Sequence, residues 1–89
     1  MAKTVFAVLS ISKPEILGPK IQQLYPNDSL KISHNEWLIA AESTSQILSK
    51  ELGVLEEGAG TALIVALSGY FGRMPTTVWE WIKLKWGSE

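Results

Sequence analysis

Ser29-Leu-Lys-Ile-Ser-His-Asn-Glu-Trp-Leu-Ile-Ala-Ala-Glu42 is the stretch whose reading decides the fold. Ser29–Ser33 alternates polar and apolar residues with the period of a half-buried strand, and Glu36–Glu42 is a second strand run. Only His34-Asn35 separates them, and asparagine tolerates the positive φ that a two-residue hairpin turn needs. A hairpin here cuts the chain into two halves of similar make-up.

On the N-terminal side, Thr4-Val-Phe-Ala-Val-Leu-Ser-Ile-Ser12 is rich in β-branched and apolar residues and predicts a central strand. Ser12-Lys-Pro-Glu15 has capping-box spacing, and Ile16, Leu17, Ile21 and Leu24 recur on one helical face. Pro19 lies inside that pattern, so the helix either kinks there or begins late, near Gly18. Pro26-Asn-Asp28 closes it as a turn. On the other side, Ser43-x-x-Gln46 offers a second capping box, Ile47, Leu48 and Leu52 an apolar stripe, and Gly53 a terminator. Residues 56–60 read as a glycine-rich loop, and Ala62–Leu67 as a fourth strand apolar on both faces. Thr77-x-x-Glu80 opens a last helix that runs to about Trp86.

The order β-α-β-β-α-β-α holds two β-α-β halves joined by the hairpin. Right-handed crossovers in both halves interleave the strands into a four-stranded antiparallel sheet with two helices on one face. The predicted class is therefore α+β: a ferredoxin-like core over residues 1–68, with an additional C-terminal helix at 75–86, in a single domain of 89 residues. Hydrophobic residues make up 46% and charged residues 19%, which is a folding composition. A net charge of −1 does not mark a chain that lives by gripping phosphate backbones. With no cysteine, disulfide scaffolds, thiolate metal sites and cysteine nucleophiles are excluded. No apolar run approaches the ~20 residues of a membrane helix. The expectation is a cytoplasmic protein without a membrane segment.

The fourth strand falls at a sheet edge, yet neither of its faces is polar, so a cover or a pairing partner is required. The last helix is the predicted cover. At 100° per residue, Val78, Trp79, Trp81, Ile82 and Trp86 fall within an arc of about 160°. Each tryptophan can bury on the order of 200 Å². Two readings follow, and one helix can satisfy both: the aromatics complete the core, or part of them docks a partner or a second copy of the chain.

No enzyme motif emerges. The one histidine, His34, sits in the predicted turn, and the one aspartate, Asp28, belongs to the Pro26-Asn-Asp28 turn. No carboxylate or histidine cluster has metal-ligand spacing, so neither a metal nor another cofactor is expected. Gly69-Tyr-Phe-Gly-Arg73 is the most distinctive stretch. As a structural element it is a tight turn with Tyr70 and Phe71 closing the core and Arg73 on the surface. Its functional form stacks a base on Tyr70 or Phe71 and sets Arg73, Lys83 and Lys85 against phosphate.

Val5-Phe-Ala-Val-Leu-Ser-Ile-Ser-Lys-Pro14, the strand Glu36-Trp-Leu-Ile39 and the apolar fourth strand together resemble the small ferredoxin-like proteins that include CRISPR-adaptation nucleases and virulence-associated ribonucleases. The likeness covers roughly residues 4–68 and implies the fold and a dimer built along the fourth strand. In that family an aspartate ends the first strand and supports metal-dependent nuclease work; here Ser10 and Ser12 stand at those positions. The segment from Tyr70 to Lys83 is not explained by that likeness and looks like the mark of a separate small bacterial family.

The sequence thus predicts a non-enzymatic interaction protein, a homodimer or the partner of another protein. Its binding residues are Tyr70, Phe71, Arg73, Trp79, Trp81 and Trp86, with single-stranded nucleic-acid binding as the alternative.

Overall fold

A computed structural model describes residues 2–54 and 60–88. Its elements are β1 (Thr4–Ser10), α1 (Pro14–Leu24), β2 (Ser29–Ser33), β3 (Glu36–Ala41), α2 (Ser45–Glu51), β4 (Ala62–Ala66) and α3 (Thr76–Lys85). The four strands form one sheet in the order β2-β3-β1-β4, and every neighbouring pair is antiparallel. The predicted α+β class, the four-stranded antiparallel sheet and the extra C-terminal helix are all present. The predicted loop at 56–60 lies outside the described residues apart from Gly60.

Strand alternation sends successive side chains to opposite faces. Phe6 and Val8 of β1, Trp37, Ile39 and Ala41 of β3 and Ile64 of β4 meet Leu17 and Ile21 of α1 and Leu48 and Leu52 of α2. The residues between them, Val5, Leu38 and Ala40, meet Val78 and Ile82 of α3. The C-terminal helix therefore does cover the second face. Its cover lies over β1, β3 and β2; on β4 it leaves Leu63 56% exposed.

The helix starts differ from the capping-box spacings. At α1 the cap is Lys13, in the left-handed region at φ 57°, with no side-chain hydrogen bond. Ser12 is engaged elsewhere: its Oγ accepts from the Thr61 N–H at 3.0 Å, tying the start of α1 to the start of β4. At α2 the cap is Thr44, one residue later than Ser43, and its Oγ1 accepts from the Ile47 N–H at 3.1 Å. At α3 the cap is Pro75, without a side-chain bond. Spacing alone misplaces a cap when a tertiary contact claims the hydroxyl. Gly53 does follow the end of α2 with a positive φ of 77°.

The hairpin also departs from expectation. Lys13 is the one non-glycine residue with positive φ among those described, so His34 and Asn35 do not form the mirror-image turn. The misfit is absorbed by a register irregularity between Lys31 and Ser33. Asn35 instead prolongs the sheet, its carbonyl accepting from the Ser10 N–H at 2.8 Å and its Nδ2 donating to the Ser10 carbonyl at 3.3 Å.

Helix α1 does not start late: it runs from Pro14 to Leu24 with Pro19 inside it. Pro14 suits the first helical position, and Pro19 lies on the exposed side, where water reaches the carbonyl that its missing N–H leaves free. Gly18 has a packing reason. A Cβ there would stand 2.8 Å from Cζ2 of Trp37, whose ring is 2% exposed. Gly18→Ala is expected to destabilise the protein by about 1–3 kcal/mol through overpacking, against the gain of ~1 kcal/mol that helix propensity alone gives. Urea denaturation separates these outcomes by sign.

A carboxylate clamp fixes α3 on the sheet. Asp28, in the turn before β2, accepts from Lys85 Nζ at 2.9 Å and from Lys3 Nζ at 3.2 Å. Next to it, the Lys3 N–H donates to the Ser88 carbonyl at 2.6 Å and the Gly87 N–H to the Lys3 carbonyl at 3.2 Å. The Lys85 hydrogen bond, helped by Lys3 and opposed by burial, holds the Asp28 carboxyl below its ordinary value. A depressed folded pKa gives stability that is present above the unfolded value near ~3.9 and is lost as pH falls through the folded value. Asp28→Asn is therefore expected to lower the melting temperature at neutral pH and to flatten its fall in acid. Thermal melts from pH 7 down to pH ~2 read both effects.

Candidate functional site

The site grows from the two flanks of α3. Val78 and Ile82, one turn apart, point into the sheet and are buried. Trp79 and Trp86 fall on one flank of that line, and Trp81 falls on the other. Trp79 and Trp81 are half-buried against the second-face core, whereas Trp86 is 39% exposed. The predicted tryptophan face is thus split: aliphatic side chains fill the core, and the indoles line its margins.

After β4 the chain doubles back and lays Tyr70 between two of these indoles. Its ring stacks on Trp79 at a centroid distance of 5.7 Å and an interplanar angle of 26°. It meets Trp86 at 5.1 Å and 55°. Such contacts are each worth about 0.5–1.5 kcal/mol beyond the area they bury. Phe71, the next residue, makes no use of them and is fully exposed. Tyr70, Phe71, Gly72 and Trp79 frame a recess of about 250 Å³. A neighbouring groove of about 360 Å³ runs under Tyr70 to Leu67, Met74 and Ile32.

Tyr70, Phe71, Trp79 and Trp86 are therefore brought together in one aromatic ledge. Trp81 stands apart from it on the opposite flank. Arg73 is exposed and makes no hydrogen bond or ion pair among the described residues, and Lys83 is exposed as well. Lys85 does not join them, because its ammonium is engaged by Asp28. The basic cluster expected from spacing thus loses its third member to a structural ion pair.

β4 supplies the other half of the site. It lies at the sheet edge beside β1 alone. The Leu67 N–H donates to the Val5 carbonyl at 2.9 Å, and the Ile11 N–H to the Thr61 carbonyl at 2.8 Å. Alternation along an antiparallel pair then turns the backbone groups of Thr61, Leu63, Val65 and Leu67 towards β1. Those of Ala62, Ile64 and Ala66 point outward, along an edge with no charged side chain, proline or bulge to guard it. Near this edge Leu63 and Ile11 are 56% and 68% exposed. Apolar length in the sequence revealed the edge, but its outward-facing residues needed the register.

The described residues hold no group of three or more histidine, cysteine, aspartate or glutamate side chains able to ligate a metal. No helix among them is long and apolar enough to cross a membrane. Ser10 and Ser12 stand where the resemblance sets an aspartate, and both hydroxyls bond to the backbone: the Ser10 Oγ donates to the Ser12 carbonyl at 3.0 Å, and the Ser12 Oγ accepts from Thr61. No protein family, curated protein or solved structure matches this chain significantly.

Phe71 is expected to be a binding residue without a folding role. Phe71→Ser should leave the unfolding free energy within about 0.5 kcal/mol, as exposed substitutions do. Trp79→Ala should cost more, because that ring also packs on the core. Denaturation of both variants, scored beside their association, separates the two roles.

Proposed function

We propose that this chain is a non-enzymatic protein-interaction module on a ferredoxin-like plan, and that it assembles as a homodimer through β4 and the adjoining aromatic ledge. The observation that carries this reading is the unguarded, wholly apolar edge of β4. Two β4 strands set antiparallel, with Ile64 facing its copy, pair Ala62 with Ala66 on each side. That arrangement engages every outward-facing strand residue and forms about six backbone hydrogen bonds, two for each of three facing pairs. Shifting the register by two residues forces Gly60 or Ser68, both outside the strand, into the ladder and leaves fewer bonds within it. In the favoured register Leu63 lies opposite Val65 of the copy, and side chains exposed in the single chain cover one another.

At one hydrogen bond per 100–200 Å², such a ladder corresponds to roughly 600–1,200 Å². Stable specific interfaces begin near ~1,200 Å². The apolar side chains must supply the rest, and the dimer belongs at the weak, micromolar end. Sedimentation equilibrium should show a monomer–dimer equilibrium that Ala66→Pro, which removes an outward-facing N–H and spares the bonds to β1, abolishes. Because the chain has no cysteine, the register is directly testable. A mixture of the Leu63→Cys and Val65→Cys variants should cross-link on oxidation far more than either alone, as facing residues lie within disulfide reach. No cross-linking in the mixture, with a monomer at all concentrations, would falsify the dimer.

A second reading, single-stranded nucleic-acid binding, draws on exposed Phe71 beside Arg73. It is the weaker one, because Lys85 is tied to Asp28 and the remaining charge is small. It requires affinity that falls with salt and with Arg73→Ala.

A further inference from the structure

We infer that Phe71 of each copy closes over Leu63 of the other, forming an aromatic clasp on the α3 side of the joined sheets. The inference rests on the β4 pairing proposed above and gives the fully exposed Phe71 ring its counterpart.

The strand register sets the level of each residue along the sheet. Val65 lies beside Ala7 and Leu63 beside Leu9, while the Leu67 N–H bonds the Val5 carbonyl. Leu63, Val65 and Leu67 project to the face that carries α3, because Ile64 is buried on the other. From Leu67 the chain turns back over this face, and Met74 lines a recess with Ala7 and Leu9. The connecting segment therefore returns from the level of Leu67 towards that of Leu63, about 13 Å at ~3.3 Å per strand residue. Phe71 stands half-way along it, at the level of Val65. Tyr70 pins the segment to the flank of α3 that faces β4: its ring is held by Trp79 and Trp86 and shares a groove with Leu67.

The dimer sets a neighbour at that level. Residues facing each other across an antiparallel pair share a face, so both α3 helices lie on one side of the joined sheets. Val65 then has Leu63 of the copy one strand spacing away, about 4.8 Å. Phe71, uncovered by its own chain, and that leucine, exposed in the single chain, come side by side on the α3 face. The two-fold axis makes the contact twice. The area points to a second copy as well. An aromatic side chain buries about 150–250 Å², so the two rings add roughly 300–500 Å², and the surfaces they cover add more. That supplies what the strand ladder alone lacks against the ~1,200 Å² of a stable interface.

The test is isotope-filtered NOE spectroscopy on an equal mixture of ¹³C-labelled and unlabelled full chain, at concentrations where sedimentation shows the dimer. Contacts between the Phe71 ring and the Leu63 methyls of the other copy are the expected result. Phe71→Ser should weaken dimerisation about tenfold, and Phe71→Leu, which keeps apolar bulk, by less. Leu63→Ala should weaken it too, and the double variant by clearly less than the product of the two fold-changes. Fold-changes that simply multiply would overturn the clasp. So would a dimer that cross-links through the Leu63→Cys and Val65→Cys variants yet shows no such contact and stays as tight in Phe71→Ser; the β4 pairing would then stand alone. A monomer at every concentration overturns both.

Discussion

Everything in this structure follows from the burial of one strand pair on both faces. β1 and β3 lie side by side at the middle of the sheet, with Val5, Phe6 and Val8 and the run Trp37–Ala41 all buried. A pair without a polar face cannot stop at two layers, because each uncovered apolar side chain would forfeit about 1.5–3 kcal/mol. The helices of the two β-α-β halves cover one face, and a third helix has to cover the other. Only two aliphatic side chains of α3, Val78 and Ile82, are buried for that purpose. The tryptophans fall to its margins, Trp79 and Trp81 packed part-way on the core and Trp86 largely outside it.

Such a narrow contact needs anchoring. The Asp28 carboxylate between Lys3 and Lys85, with the backbone bonds between Lys3 and the Gly87–Ser88 segment, fastens the far end of α3. Tyr70, held against Trp79 and Trp86, braces its outer flank. On the opposite face, Tyr25 donates to Glu51 Oε1 at 2.7 Å and joins the ends of α1 and α2. Burial, with help from that bond, pushes the tyrosine pKa up to about 12.

Element order, strand count and the existence of a covering helix were legible in the sequence, because they rest on periodicity and apolar content, which are local. The helix starts were not. Ser12 has the residue type and spacing of a cap, but Thr61, far along the chain, claims its hydroxyl. The aromatic ledge was half legible: tryptophan abundance revealed it, whereas its membership depended on Tyr70 reaching back over α3. Lys85 reads as a member of a basic cluster until Asp28 is set beside it. The close packing of α1 on Trp37 left one trace, a glycine in mid-helix, whose meaning needed the ring that packs against it.

The sheet's second face also has a kinetic side. The α1 and α2 layer forms from neighbouring segments, whereas closing α3 over Val5 and bringing Lys3 to Ser88 joins the two extremes of the described chain. Contacts of such long sequence separation form late, since loop closure is costly before they reward it. Release of α3 bares Val5, Leu38 and Ala40 and scatters the aromatic ledge in one event. Any surface built on those rings thus exists only while α3 is docked.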